Sequence, residues 1–114
     1  MERRISSFEE FWPYYVVQHA HPSNRALHFV GTSLVLAIVA AAVTLGTPLW
    51  LVLVPLAGYG PGWIGHIFVE KNRPAGLKYP LWSLRGDFRM YRLMWMARME
   101  PEVVRVRSLY AAEA

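Results

Sequence analysis

The sequence lacks cysteine, and it lacks charged residues in the two apolar stretches that occupy its middle. The absence of cysteine excludes disulfides, thiolate nucleophiles and cysteine-ligated metal sites. Charged residues make up only 18% of the chain, whereas hydrophobic residues make up 54% and the mean hydropathy is +0.21. All charges lie outside residues 26–45 and 49–69. This distribution predicts a membrane protein rather than a soluble domain.

The chain also lacks a block of basic residues of the kind that binds nucleic acid. Its net charge of +4 comes from arginines and lysines that flank the apolar stretches. Basic flanks favour anionic lipid headgroups, so we expect membrane lipids as partners and no nucleic acid. The length of 114 residues predicts a single membrane-embedded domain over residues 1–114.

The two apolar stretches predict a helical hairpin. Residues 26–45 would form about 30 Å of helix, which is enough to cross a bilayer. Gly46, Thr47 and Pro48 predict the turn, and residues 49–69 predict a second span. Glycines and a proline at 58–62 interrupt the second span, so we expect it to be kinked or broken. Gly58 and Gly62 are also spaced for close helix packing.

Shorter helices are predicted on either side of the hairpin, which makes the fold class all-α. Residues 8–20 predict a surface helix with a kink or a restart at Pro13, and its aromatic residues are typical of a membrane interface. A final helix of about 20 residues should follow Tyr79 and Pro80 and end at Pro101. One face of that helix is basic and another aromatic, as in an interfacial helix. The two faces carry Arg85, Arg89 and Arg92, and Phe88, Tyr91 and Trp95.

The distribution of basic residues predicts the orientation of the hairpin. Arginines precede the first span and basic residues follow the second, whereas the turn at 46–48 carries no charge. By the positive-inside rule both termini face the cytoplasm. The membrane would be a bacterial inner membrane, or the endoplasmic reticulum in a eukaryotic host. The residues that set this orientation are Arg3, Arg4, Arg25, Lys71, Arg73, Lys78 and Arg85.

The four histidines, His19, His21, His28 and His66, lie near the expected cytoplasmic ends of the two spans. On a helix, His21 and His28 share a face at i and i+7, and Asn24 lies between them at i+3. Counted from the turn at Thr47, His28 and His66 are each 19 residues away (47 − 28 and 66 − 47). Two antiparallel helices of equal rise would therefore place both rings at one depth. Asn24 and Glu70, each 23 residues from Thr47 (47 − 24 and 70 − 47), would be level by the same count.

Such a cluster suits iron, zinc, copper or nickel, because imidazole nitrogen is a common ligand of all four metals. Ionisable groups within spans are expensive and usually functional. The alternative is that each histidine only forms a hydrogen bond between helices. Glu70 either contacts His66 and supports it as a metal ligand, or pairs with a neighbouring basic residue. Asn24 either takes part in the metal site, or caps the helix or packs against its neighbours.

Several segments, in the same order, resemble a family of small membrane proteins whose fungal member is the 2-hydroxy fatty acid dioxygenase of the endoplasmic reticulum. The resemblance covers most of the chain, although the chain is shorter than the fungal enzyme. The matching segments are Tyr14-Tyr15, residues 21–31 (HPSNRALHFVG), residues 65–75 (GHIFVEKNRPA) and residues 80–88 (PLWSLRGDF).

The resemblance implies an iron(II)-dependent oxidation in which a 2-hydroxy fatty acid reacts with dioxygen and leaves as an acid one carbon shorter. The iron ligands implied are His21, His28 and His66, with His19 as the alternative to His21. Glu70 and Asn24 occupy matching positions and are the candidate catalytic residues. For the substrate carboxylate, Arg25 and Arg73 are the candidate partners.

Two other functions fit the spacing of these residues. One is a non-enzymatic membrane scaffold or lipid-binding protein, which would bind no metal. The other is a zinc-dependent membrane hydrolase, because the histidine spacings alone do not identify the metal.

Overall fold

The computed structural model of the chain describes residues 5–113, with side chains described as far as residue 110. Every regular element in this part of the chain is helical, which confirms the all-α fold class. Arg3 and Arg4, which contributed to the predicted orientation, lie outside the described residues. The α-helices are α1 (Phe8–Gln18), α2 (Pro22–Thr44), α3 (Val54–Ile64), α4 (Pro80–Trp95) and α5 (Met99–Glu113).

The second apolar stretch forms one continuous helix with three different windings. A 3₁₀ segment (Pro48–Leu53) leads into α3, and a π segment (Gly65–Glu70) follows α3. Pro61 lies inside α3 without interrupting it. The predicted break at residues 58–62 therefore does not occur, and the winding changes instead at both ends of α3. Beyond the π segment, a short 3₁₀ turn (Ala75–Leu77) leads into α4.

The hairpin is apolar and mostly uncovered by the rest of the protein. Its two arms, Pro22–Thr44 and Pro48–Glu70, are each 23 residues long and apolar enough to cross a membrane. Only 11% and 17% of their most apolar windows are buried within the protein. Large side chains such as Val43, Leu49 and Leu56 are about three-quarters exposed. This surface is compatible with membrane association.

Glycines allow the two arms of the hairpin to approach closely. A Cβ atom on Gly31 would lie 3.0 Å from the carbonyl oxygen of Ala57 and 3.3 Å from that of Gly58. A Cβ on Gly62 would lie 2.9 Å from Nε2 of His28. The predicted packing role of Gly58 and Gly62 is therefore confirmed, and Gly31 supplies the opposite side of the contact.

Helix α1 is part of a buried aromatic core, which corrects the prediction that its aromatic residues lie at a membrane interface. Phe11, Trp12 and Tyr15 are almost completely buried against α4 and α5. The ring of Phe11 lies within 6 Å of the rings of Tyr79 and Trp82. The sequence pattern of an interfacial aromatic belt and that of an aromatic core are alike, and α4 and α5 decide between them. The helix also continues through Pro13 without a restart.

The final helix ends earlier than predicted and is followed by a fifth helix, so the prediction that Pro101 terminates it was wrong. Helix α4 ends at Trp95, and Ala97 adopts a left-handed conformation with φ of 55°. Helix α5 then begins at Met99, which places Pro101 in its first turn. A proline is tolerated there because the first N–H groups of a helix have no partner within it.

Both predicted faces of α4 contact other helices. On the basic face, the guanidinium of Arg85 lies 4.1 Å from the ring centre of Phe8, and that of Arg89 lies 4.8 Å from Trp12. On the aromatic face, Tyr91 packs against Phe29 of α2, with 4.7 Å between ring centres. Helix α4 thus joins the aromatic core to the N-terminal half of α2.

Replacing Gly31 by alanine should destabilise the hairpin by roughly 1–3 kcal/mol, because the new methyl group meets backbone oxygens that cannot move aside. Gly58→Ala is the matched comparison, since its Cβ would instead meet a methyl group of Val35 at 3.2 Å. We expect a smaller loss there, because a side chain can shift. The measurement is thermal unfolding of both variants in mild detergent, and equal losses would contradict this account of the packing.

Candidate metal centre

Three histidine rings from separate segments meet inside the protein. His19, His28 and His66 each offer one ring nitrogen, and no two of these nitrogens are more than 4.8 Å apart. Nε2 of His19 lies 3.2 Å from Nε2 of His28. The three rings are nearly perpendicular to one another, with centres 4.4–4.8 Å apart. One nitrogen of each ring therefore lies close enough to the other two for all three to share one metal ion.

Each histidine is positioned by a different local structure. His19 is the residue at which α1 ends, and His28 lies in the second turn of α2. His66 belongs to the π segment, a winding that often occurs at functional sites. The absence of side chains at Gly62 and Gly65 makes room for His28 and Asn24, respectively. The sequence prediction that His28 and His66 lie at one depth agrees with this contact between their rings.

Hydrogen bonds define which nitrogen of each ring is available. Nδ1 of His19 lies 2.6 Å from the carbonyl oxygen of Tyr15, and Nδ1 of His28 lies 2.9 Å from that of Asn24. Nδ1 of His66 lies 2.7 Å from Oδ1 of Asn72. A carbonyl oxygen can only accept, and we assign the amide oxygen of Asn72 the same role. Each Nδ1 therefore carries the hydrogen, and each neutral ring keeps its lone pair on Nε2.

Three lone pairs that converge without a hydrogen atom between them repel one another, and a cation at their centre removes that repulsion. A metal bound at about 2.0–2.1 Å by imidazole nitrogens would place neighbouring ligands about 3.0–3.4 Å apart. The 3.2 Å between His19 and His28 has this spacing. Hydrogen bonds from the second ring nitrogen to oxygen acceptors are the usual support of metal-bound histidines. The residues present therefore fit a metal ion.

The environment keeps His19 in the neutral form that a metal requires. Burial lowers the pKa of His19 well below its ordinary value, and the neighbouring rings of His28 and His66 lower it further. The hydrogen bond to the carbonyl of Tyr15 acts in the opposite direction and is outweighed. A neutral ring has a lone pair to donate, whereas a protonated ring has none.

His21 and Glu70 lie outside the cluster, in contact with each other. His21 is exposed and caps α2, with its Nδ1 accepting from the backbone N–H of Ser23. The backbone N–H of His21 donates to Oε1 of Glu70 at 2.5 Å. Glu70 therefore joins the ends of the two arms and does not form a hydrogen bond with His66 in this structure. The sequence left open whether His19 or His21 joins His28 and His66, and the structure brings His19 to the cluster.

Asn24 and Arg25 are buried, and both hold the turn that carries His19. Nδ2 of Asn24 donates to the carbonyl of Gln18 at 3.4 Å, and its side chain packs against Gly65. The guanidinium of Arg25 donates to the carbonyls of His19 and Ala20 and forms an ion pair with Glu100. These partners occupy Arg25 in the structure. Arg73, the other predicted carboxylate partner, is exposed between the hairpin and α4.

Sequence reasoning missed Asn72 as the partner of His66. Lys71 adopts a left-handed conformation with φ of 58°, which turns the chain back. The backbone N–H of Asn72 then donates to the carbonyl of His66, and its side chain supports the ring of the same residue. A helical spacing of four residues pointed to Glu70 instead, and only the turn after the π segment reveals the true partner.

A cavity of about 270 Å³ opens beside the three histidines. It extends between α2 and α3 toward the tip of the hairpin, as far as Val35 and Val54, and that end is apolar. Near the histidines it is also lined by Tyr15, Ser83 and Asp87, which the sequence analysis did not select. The arrangement can accommodate a molecule with a polar head at the histidines and an apolar chain along the hairpin.

Comparison with known proteins identifies one family. The model of the 2-hydroxy-palmitic acid dioxygenase Mpo1-like family matches residues 5–99, which include all three clustered histidines. No curated protein and no solved structure matches the chain.

Substituting His28 by alanine should abolish metal binding, because two imidazoles hold a divalent ion much more weakly than three. His21→Ala is the matched control, since it removes an imidazole outside the cluster. We expect His21→Ala to retain about one ion per chain, with a stability loss of about 0.5–1 kcal/mol from the lost helix cap. The measurement is elemental analysis of each variant purified anaerobically. Metal retained by His28→Ala, or lost from His21→Ala, would refute this ligand set.

Substituting Asn72 by alanine should weaken metal affinity about 10- to 100-fold, because the ring of His66 loses the acceptor that orients it. Asn72→Asp keeps an oxygen acceptor and should retain more of the affinity. Competition with a chromophoric chelator measures both values. Wild-type affinity in Asn72→Ala would show that the hydrogen bond does not support the site.

Proposed function

The chain belongs to the 2-hydroxy-palmitic acid dioxygenase Mpo1-like family, and from this premise we propose that it is an iron(II)-dependent dioxygenase of 2-hydroxy fatty acids. The observation that carries the proposal is that one nitrogen of each ring lies within 4.8 Å of the other two, while the Nδ1 hydrogen of each ring is engaged. A purely structural histidine cluster would use those hydrogens between the rings. Here the Nδ1 hydrogens of all three rings point away from the cluster, to oxygen acceptors.

The proposed reaction shortens the acid by one carbon. A 2-hydroxy acid, R–CH(OH)–COOH, and one dioxygen give R–COOH, carbon dioxide and water, so atoms balance without another reactant. The bond between the carboxyl carbon and the hydroxyl-bearing carbon breaks, and the latter is oxidised to the new carboxyl group. Dioxygen accepts the four electrons released. Fe(II) held by His19, His28 and His66 would supply the one-electron chemistry that dioxygen requires.

The charge of the ligand set favours an acidic substrate. All three histidines are neutral donors, so a divalent ion among them would keep its full charge in a poorly hydrated cavity. Isolated charges in such surroundings are unfavourable unless paired. A substrate carboxylate would provide that pairing. The substrate carboxylate would then have a partner without Arg25, whose guanidinium is already engaged by two carbonyls and Glu100.

The apolar part of the cavity fits the remainder of a fatty acid. Pro55, which also lines the cavity, lies eleven positions before His66 on the second arm (66 − 55), or about 16 Å at the rise of an α-helix. Val35, Val54 and Pro55 line the far end. An acyl chain lying along the arms would bury its methylene groups there and exclude water from the histidines.

The proposal places the hairpin in a membrane, with both termini on the cytoplasmic side. The two exposed apolar arms support insertion, and the basic residues beyond their open ends support the orientation. The three histidines would then lie near the cytoplasmic boundary of the bilayer. A fatty acid in the adjacent leaflet has its head at this depth, so the membrane itself would supply the substrate.

The test is oxygen uptake by protein purified anaerobically in mild detergent and loaded with iron(II). With 2-hydroxypalmitate we expect one dioxygen consumed per acid and pentadecanoic acid as the product. Palmitate, which lacks the 2-hydroxyl, should support no uptake, and His28→Ala should be inactive while His21→Ala remains active. Mass spectrometry of the product and an oxygen electrode provide the two readouts.

Three results would overturn the proposal. Iron-loaded protein that consumes no oxygen with any 2-hydroxy acid would exclude the activity. Zinc in the anaerobically purified protein, together with ester or amide hydrolysis, would indicate a hydrolase. Absence of bound metal after reconstitution would leave the histidines with a packing role.

A further inference from the structure

The cavity has a second polar wall, opposite the apolar arms and formed by α4. Ser83 and Asp87 both line it, and their spacing of four residues places them on one face of the helix. Apolar side chains surround this pair, including Leu84 and Phe88, which line the cavity and extend to the surface. Neither polar residue is a ligand in the histidine cluster, and the reaction described above does not use them.

Tyr15 connects this wall to the histidines. Its hydroxyl donates to Oδ1 of Asp87 at 2.5 Å, and its ring stacks on His19 with 3.9 Å between ring centres. Gly86 leaves room for the tyrosine ring, because a Cβ there would lie 3.0 Å from it. Asp87 is therefore one aromatic ring away from a metal-ligating histidine, and the contact with Tyr15 holds its carboxyl group in place.

The hydroxyl of Ser83 points to a missing ligand. Ser83 is only 7% exposed, and its Oγ is buried without a hydrogen-bond partner in the described part of the chain. A buried hydroxyl without a partner destabilises a protein, because it has lost its hydrogen bonds to water. Such a group at the wall of a cavity is typical of a site that completes its hydrogen bonds with a substrate.

We propose that Ser83 and Asp87 form a hydroxyl-recognition wall that binds the 2-hydroxyl of the substrate and so distinguishes 2-hydroxy acids from ordinary fatty acids. The inference rests on the proposed function, because it assigns the two polar groups of that substrate to two surfaces of the cavity. The carboxylate faces the three histidines. The 2-hydroxyl donates to the carboxylate of Asp87 and accepts from Ser83, whose hydroxyl is a donor.

The chemistry of the two residues suits a hydroxyl and disfavours an unsubstituted chain. An ionised carboxylate accepts hydrogen bonds and repels another carboxylate, so Asp87 would direct the acidic end of the substrate toward the histidines. A fatty acid without the hydroxyl would cover both residues with methylene groups, leaving Oγ of Ser83 without a partner and Asp87 without one from the substrate. Sites that bind a substrate hydroxyl reject analogues without it for this reason.

The experiment measures affinity rather than turnover. Iron(II)-loaded protein in mild detergent is titrated anaerobically with 2-hydroxypalmitate and with palmitate, for the wild type, Ser83→Ala and Asp87→Asn. We expect the wild type to prefer the 2-hydroxy acid, Ser83→Ala to reduce that preference about two- to tenfold, and Asp87→Asn to reduce it about tenfold or more. Affinity for palmitate should not fall in Ser83→Ala.

A stability readout separates recognition from a structural role. Ser83→Ala removes a buried hydroxyl without a partner, so the ligand-free variant should unfold at a temperature equal to or above that of the wild type. Ser33→Ala is the matched control, because its hydroxyl bonds to that of Tyr91, with 2.8 Å between the oxygens. That variant should lose stability and keep the wild-type preference for 2-hydroxypalmitate.

The outcomes distinguish this inference from the proposed function. If the wild type consumes oxygen with 2-hydroxypalmitate but Ser83→Ala and Asp87→Asn keep its full preference, the hydroxyl-recognition wall is refuted and the dioxygenase stands. A wild type that binds both acids equally also refutes the wall. If the preference for 2-hydroxypalmitate depends on Ser83 but the wild type consumes no oxygen, the hydroxyl-recognition wall is supported and the dioxygenase activity is refuted. A lower unfolding temperature for ligand-free Ser83→Ala would assign Ser83 a structural role.

Discussion

The structure depends on holding three neutral imidazoles with one nitrogen of each ring within 4.8 Å of the other two. That arrangement is unfavourable by itself, and hydrogen bonds from Nδ1 to Tyr15, Asn24 and Asn72 maintain it. Two of these acceptors are backbone carbonyls of the preceding helical turn, so helix formation itself orients the rings of His19 and His28. The third comes from the turn that follows the π segment. The cluster is preorganised by secondary structure rather than by flexible side chains.

Two differently built halves of the protein meet at this cluster. The hairpin is apolar on its outside and packs through glycines, whereas α1, α4 and α5 enclose an aromatic core. The hairpin provides His28, His66 and the apolar part of the cavity. The aromatic half provides His19 and a polar wall on α4. The cavity lies at the junction of these two surfaces, so the amphipathic substrate that we propose would contact both.

Much of the fold could be predicted because it depends on local composition. Two uncharged, apolar stretches of about 20 residues favour helices, because a helix satisfies its backbone hydrogen bonds internally, and the turn at Thr47 folds the second stretch back along the first. The equal counts from Thr47 therefore placed His28 beside His66. The roles of Pro101 and of the aromatic residues of α1 were less predictable. A proline ends one helix or begins another, and an aromatic side chain suits an interface or a core, according to neighbours that are distant in sequence.

The sequence by itself determined the hairpin, the absence of charge within it, and the presence of histidines at its open end. Only the tertiary structure decided that His19 joins the cluster while the ring of His21 caps α2. The two residues are separated by one alanine, and periodicity favours His21 because it continues the face of His28. The cause is the break between α1 and α2, where buried Arg25 binds the carbonyls of His19 and Ala20. Side-chain direction at such a break follows from contacts between helices, which local spacing does not encode.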